Sequence, residues 1–345
     1  VGVVVDGCPA GLPLVEDDIQ RKLDLRRPGQ SIVTTQRREE DRVEILSGVF
    51  NGYTTGAPIC MLIWNKDQDS RAYEQIRFKP RPGHADYPAY VKYSGYNDYR
   101  GGGRFSGRLT AALVMAGAVA EKLLAYTLGI EIIAYTLEIG GIRMDSNLSI
   151  DAKRLRYSND VRCPDPRIAE SMREEILKAK HDGDSLGGVV ECMALNLPIG
   201  LGEPIFGALE SDLSRALFSI PAVKGVEFGS GFNGSRIRGS ENNDPYTVRD
   251  GKIVTLSNNA GGILGGLSNG MPLLLRVAFK PPSSIAKTQS TIDLESMQST
   301  EIVVAGRHDP CVVPRAVPVV EAMVAFILAD HAIRAGMINP VLKSK

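Results

Sequence analysis

At 345 residues the chain is long for a single core and short for three, so one large domain or two fused lobes is expected. Its 43% hydrophobic and 23% charged residues are the ordinary balance of a soluble globular protein. Lys plus Arg and Asp plus Glu number 40 each, and a formal net charge of zero argues against a general nucleic-acid binder while leaving room for a local arginine cluster.

In chain order, Val1–Val5 reads as a strand entered with no lead-in, which suggests residues upstream of it. It has no basic flank and runs into the turn-like Asp6-Gly7-Cys8-Pro9, so it does not read as a signal peptide. A short helix is expected around Glu16–Leu25, with Ile19 and Leu23 on one face, ended by Arg26-Arg27-Pro28-Gly29. Arg42–Val49 alternates apolar and polar residues, and Ile59–Trp64 reads as a buried strand. From Lys79 to Gly107 periodicity disappears and Gly, Tyr and Arg dominate; compact domains rarely carry so long an irregular segment unless it works. Ala111–Leu128 then reads as a buried helix stopped by Gly129. Glu121-Lys122 interrupts it, so no apolar run reaches the ~18 residues of a membrane helix, and a cytoplasmic protein is expected. Ile130–Ile139 is a strand candidate. Asp165 can cap a helix opened by Pro166, with Ile168, Met172, Ile176 and Ala179 as its apolar stripe. Gly187–Leu195 and Pro272–Phe279 read as strands, Leu209–Ile220 and Val317–Arg334 as helices, and Gly225–Gly270 is glycine-dense. No strand, glycine turn and helix follow one another, so a doubly wound sheet is not expected.

Chemistry concentrates in Arg81-Pro82-Gly83-His84-Ala85-Asp86, followed by Lys92, Arg100-Gly101-Gly102-Gly103-Arg104 and Arg108. Arginine forks match phosphate and carboxylate oxygens, and adjacent glycines let backbone N–H groups approach an anion. The segment therefore reads as an oxyanion site with His84 as an acid or base, against the alternative of a solvated basic loop. A second cluster is Gly306-Arg307-His308-Asp309-Pro310-Cys311, where Asp309 could fix the His308 tautomer; Cys311 with His308 is a weaker nucleophile reading. Arg26-Arg27 and Arg37-Arg38 form a third basic patch. Gly229-Ser230-Gly231 and Gly261–Gly266 are weak phosphate-cradle candidates, and His181 and His331 read as surface or structural residues. The five cysteines are odd in number, widely spaced and without a Cys-x-x-Cys pair, so no metal site or disulfide framework is expected. A nucleic-acid binder stacking bases on Tyr87, Tyr90, Tyr93, Tyr96 and Tyr99 is a remote alternative at zero net charge.

Taken together these motifs resemble the chorismate synthase family. The resemblance runs through Asp6–Gly11, Arg26–Gly29, Thr34–Glu39 and Ile45–Phe50, then the histidine loop with Arg104-Phe105-Ser106-Gly107-Arg108. It continues through Phe228–Phe232, Gly239-Ser240-Glu241, Gly261–Gly270 and Gly306–Cys311, in order over nearly the whole chain. It implies an α+β fold with helices packed between antiparallel sheets, one domain over 1–345 lacking its first strand, and a homotetramer. It implies a lyase (EC 4.2.3.5) that removes phosphate from 5-enolpyruvylshikimate 3-phosphate by 1,4-elimination on reduced FMN, giving chorismate. Flavin contacts are implied for Arg104, Phe105, Ser106, Pro221, Ala222, Gly265, Lys280, Pro281, Pro282, Ser283, Ser284 and Arg307, and substrate contacts for Arg26, Arg27, Arg81 and Arg108. His84 matches a family acid–base histidine, and Asp309 an aspartate that assists the flavin. Reduced FMN could come from NADPH in place or from a separate flavin reductase. No metal, nucleic acid or membrane is expected.

The chain departs from the family pattern in three places. The Gly-Glu-Ser-His-Gly motif with a second histidine is absent, Ile32 stands where many relatives place arginine, and Phe105 and Gly107-Arg108-Leu109 replace the commoner Ser and Ala-Arg-Glu. With that histidine motif missing, the alternative is an FMN- and phospho-acid-binding chain inactive through amino-terminal truncation.

Overall fold

The computed structural model describes residues 1–343 apart from 36–38, 67–70, 75, 76, 305 and 307. Two long apolar helices, Thr110–Leu128 and Val313–Arg334, lie against each other in the middle of the molecule. They touch so closely because Gly117 faces Ala322: a Cβ on Gly117 would lie 2.2 Å from the Ala322 Cβ. Both helices are long and apolar enough to cross a membrane by composition, and both are core helices here, the second almost entirely buried. The sequence reading noted only the first of them as an apolar run.

Antiparallel sheets cover the helical layer on two sides. On one side Gly2–Val5, Ile59–Ile63 and Val43–Ile45 form a three-stranded sheet with Ile59–Ile63 in the centre. On the other, five strands run in the order Ile142–Arg143, Glu131–Ile139, Gly188–Leu195, Leu273–Phe279, Val223–Phe228. Every pairing within these two sheets is antiparallel. One apolar cluster runs through both sheets and the helices between them, from Val5 to Ile338. The layered α+β architecture is the one the family resemblance implies.

Most local expectations hold where a local signal sets them. The first helix runs Glu16–Arg26. The Asp165 side chain accepts from the Arg167 and Ile168 N–H groups and starts Pro166–His181, and Gly129 ends the central helix at φ +67. The carboxy-terminal helix starts at Val313, one turn before the expected Val317. Pro314 lies in the first turn, where its missing N–H is no loss, and the interior Pro318 forfeits one hydrogen bond inside a buried helix. The glycine-dense stretch contains a hairpin, Tyr246–Arg249 with Lys252–Thr255, and Gln289–Asp293 pairs with Gln298–Ile302. Neither hairpin carries a strong alternation of apolar and polar residues.

A polar row crosses the large sheet. Arg276 stands opposite both Glu191 and Glu227 and reaches them at 2.7 and 3.0 Å, and the Tyr135 hydroxyl donates to Glu191. Glu321, on the carboxy-terminal helix, is 1% exposed and accepts from the Ala134 N–H at 3.0 Å, Arg156 at 2.7 Å and the Tyr157 hydroxyl at 2.9 Å.

Candidate active site

Three segments distant in sequence meet at one end of the helical layer. The histidine loop is tied to the end of the large sheet, where the Lys280 ammonium donates to the Gly83 carbonyl at 2.8 Å and Arg81 Nη1 to Ser284 Oγ at 3.0 Å. The sheet end is itself irregular: Ala222 sits at φ +73, and the pairing register shifts between Ala278 and Phe279. That shift brings Lys224 and Lys280 to the same rim. The glycine run needs its glycines, since a Cβ on Gly103, at φ +51, would fall 2.2 Å from the Asp98 carbonyl oxygen.

Between these segments lies a cavity of ≈ 730 Å³. Of the residues expected to contact flavin or substrate, Arg26, Arg81, His84, Arg104, Phe105, Ser106, Arg108, Pro221, Ala222, Lys280, Pro282, Ser283, Ser284 and Asp309 all line it. Three do not. Arg27 turns outward beside Asp24 at 3.4 Å, Gly265 sits in the turn of a short hairpin with open space around it, and the Pro281 ring packs near Gly187. Arg307 and the Arg37-Arg38 pair lie outside the described residues. The sequence reading missed Arg315, Lys224, Glu39, Thr35 and the cavity-facing position of His308. Arg315 and Lys224 lie in a helix and a strand whose periodicity announces only packing.

His84 is the best-held group. Its Nδ1 lies 2.6 Å from Asp86 Oδ1, and Arg81 grips the same carboxylate with Nε and Nη2, each at 2.8 Å. Burial alone would raise the Asp86 carboxyl, but the hydrogen bonds from Arg81 and His84 outweigh it and hold it well below the usual carboxylate range. An ionised Asp86 assigns the Nδ1 proton to His84 and leaves Nε2 as the ring's acceptor, 3.3 Å from Arg81 Nη2.

The second cluster is rearranged relative to expectation. Asp309 does not set the His308 tautomer; it accepts from the Thr35 N–H at 2.9 Å and from Arg315 Nη1. Neighbours in sequence point apart because the chain turns here into the carboxy-terminal helix, which supplies Arg315. His308 Nε2 is buried with no partner among the described residues. Cys311 is no nucleophile, because complete burial pushes its thiol up to about 12. The glycine motifs pack on each other, with Gly261 tight against the Gly229 backbone, and neither motif lines the cavity. His181 is exposed beside Asp182, and His331 is buried on Asp212. The five cysteines are free, and no metal-binding cluster occurs among the described residues.

A pH dependence follows from His308. Burial, then the positive charge of Arg81 and the nearness of His84, lower its pKa below 6.5, and Asp309 opposes them. A depressed folded value means that the unfolded chain takes up this proton first as pH falls. The contribution to stability is therefore complete above about pH 6.5 and declines as pH drops toward the folded value. Melting temperature should fall between pH 7.5 and 5.5, and His308→Asn should shrink that fall; an identical fall in the variant would remove His308 as its source.

Seven cationic side chains, Arg26, Arg81, Arg104, Arg108, Lys224, Lys280 and Arg315, face this cavity against the carboxylates of Glu39 and Asp309. So much positive charge around an oriented imidazole defines an enzyme that works on a small, multiply charged anion. Residues 1–333 match the family profile of chorismate synthase. A chorismate synthase of Korarchaeum cryptofilum (strain OPF8) is 62% identical over 335 residues, covering 97% of this chain and 92% of that protein. One from Dehalococcoides mccartyi (strain ATCC BAA-2100 / JCM 16839 / KCTC 5957 / BAV1) is 57% identical over 343 residues, covering 99% and 94%. A crystal structure of chorismate synthase superposes with a TM-score of 0.76 at 32% identity, covering 97% of this chain and 88% of the other. The chain belongs to the chorismate synthase family, flavin-dependent lyases of aromatic amino-acid biosynthesis.

Proposed function

We propose that the cavity converts 5-enolpyruvylshikimate 3-phosphate to chorismate by 1,4-elimination of phosphate and a ring proton, on reduced FMN (EC 4.2.3.5). The observation that carries this reading is the excess of cationic over acidic side chains around one cavity, matched to a substrate with two carboxylates and a phosphate. The residues present also suit a flavin. The volume is in the range of cofactor sites, Phe105, Pro221, Ala222 and Val312 offer apolar surface, and His308 Nε2 is buried without a protein partner among the described residues. Reduced flavin, when bound, supplies electron density that eases loss of the allylic C–O bond. Lys280, Ser283, Ser284 and Arg104 would hold it, with Arg307, Gly265 and Pro281 retained from the family resemblance. Arg81 and Arg108 orient the anionic substrate. His84 holds or delivers a proton at Nε2, kept in register by Asp86. Asp309, fixed by Arg315 and Thr35, presents a carboxylate to the same cavity.

The chain is read as one domain, because a single apolar cluster unites its layers, and as cytoplasmic. The homotetramer is proposed on the strength of exposed apolar residues such as Phe206, 96% exposed, with Ile205, Val248 and Ile253. An anaerobic assay with 5-enolpyruvylshikimate 3-phosphate and chemically reduced FMN tests the reading. Chorismate formed with reduced but not oxidised FMN supports it. Tight binding of FMN and substrate without product identifies the non-catalytic alternative. Adding NADPH to oxidised FMN then separates reduction in place from supply by a flavin reductase.

A further inference from the structure

Behind the arginine wall lies a carboxylate that no step of the reaction uses. The Asp41 side chain is 0% exposed. One oxygen accepts from Arg26 Nη1 at 2.9 Å and the other from Arg108 Nη1. These arginines come from separate elements, the last residue of the first helix and the turn before the central helix. The Asp41 backbone sits at φ +48, in the left-handed region that non-glycine residues avoid and that Asp and Asn tolerate best. Such a conformation persists where the surroundings dictate it.

The two arginines are spent differently. Arg26 also donates from Nε to Thr110 Oγ1 at 3.0 Å and from Nη2 to the Gly107 carbonyl at 2.8 Å, so each of its nitrogens already has a protein acceptor. Arg108 donates from Nε to Asn65 Oδ1 at 3.0 Å and from Nη1 to Asp41, while Nη2 is buried with no acceptor among the described residues. Buried donors are normally satisfied, and Arg108 lines the cavity, so the missing acceptor belongs to a ligand.

We infer that Asp41 is a positioning residue for substrate binding: anchored on Arg26, it locks the Arg108 guanidinium so that Nη2 meets an oxyanion of the substrate. The inference rests on the proposed function, since it needs an anionic ligand in this cavity. A different role makes the opposite prediction. Were Asp41 only balancing charge, its removal would strengthen the cavity's pull on an anion.

Asp41→Asn separates the two roles, because Asn tolerates the same backbone conformation and keeps the shape while losing the charge. With the full chain and FMN, calorimetry should show the dissociation constant for 5-enolpyruvylshikimate 3-phosphate rising ~10-fold, the scale of one charge-assisted hydrogen bond. KM should rise with it while kcat changes little. Unchanged or tighter binding overturns the inference. In an Arg108→Ala background, Asp41→Asn should add nothing further; an additive loss means that Asp41 acts elsewhere and also overturns it. Should Asp41→Asn fail to fold, Asn65→Ala frees the same guanidinium from an exposed holder and should weaken binding in the same direction, and normal binding by that variant counts against the inference. If the wild-type chain does not bind this substrate at all, the proposed function falls and takes this role with it. Normal wild-type binding with an unaltered Asp41→Asn variant sinks the role alone.

Discussion

Replacing His84 with alanine should slow turnover by ~100-fold or more, the usual scale for loss of a general acid or base. The site is built around that imidazole. Arg81 is buried and forks onto Asp86, Asp86 stays ionised, and its Oδ1 accepts a hydrogen bond from His84 Nδ1 at 2.6 Å. Nothing in that arrangement is needed to hold the core, since the loop rests on the sheet end through Lys280 and Ser284 rather than through the imidazole. The variant should therefore fold and melt as the wild type does, and should bind FMN with little change. The check is kcat from the anaerobic assay, alongside a thermal melt and a flavin titration. An unchanged kcat would remove His84 from the chemistry and leave the arginines as a pure binding site. A lost melt would instead make it a structural histidine.

The second large effect lies in the core. Glu321→Leu should destabilise the protein by ~3–5 kcal/mol, the range for breaking a buried ion pair from one side. The carboxylate is the acceptor for Arg156, for Tyr157 and for the Ala134 N–H of a central strand. Removing it strands a guanidinium and a backbone donor beside a fully buried position. Lys22, 4.0 Å from Glu321, keeps its closer partner Glu121 at 2.6 Å. A drop in melting temperature of ~4–7 °C is expected for a chain of this size. The double variant Glu321→Leu with Arg156→Met removes both charges and should recover much of the loss. If the single variant melts like the wild type, the network is decoration on an apolar core. If the double variant is as damaged as the single, the penalty comes from the leucine's shape and not from the stranded charge.

Helix ends, caps and family membership are legible in the chain alone. Helix Pro166–His181 is legible because Asp165 and Pro166 act on adjacent backbone groups, and Gly129 stops its helix for the same reason. The histidine loop stands out because so many arginines and glycines occur there without periodicity, and its Arg81-His84-Asp86 spacing is short enough for the side chains to find each other. Which charges line the cavity depends on the fold as a whole. Arg26 and Arg27 are neighbours in sequence, yet one is 2% exposed beside Asp41 and the other faces out beside Asp24. Asp309 adjoins His308 but pairs with Arg315 and Thr35. Arg108 and Asp41 are 67 residues apart, and no periodicity or spacing joins them. The physical reason is range. Caps, turns and amphipathic stripes are set within a few residues of the chain, whereas a buried carboxylate takes its partners from whichever elements the apolar core brings against it.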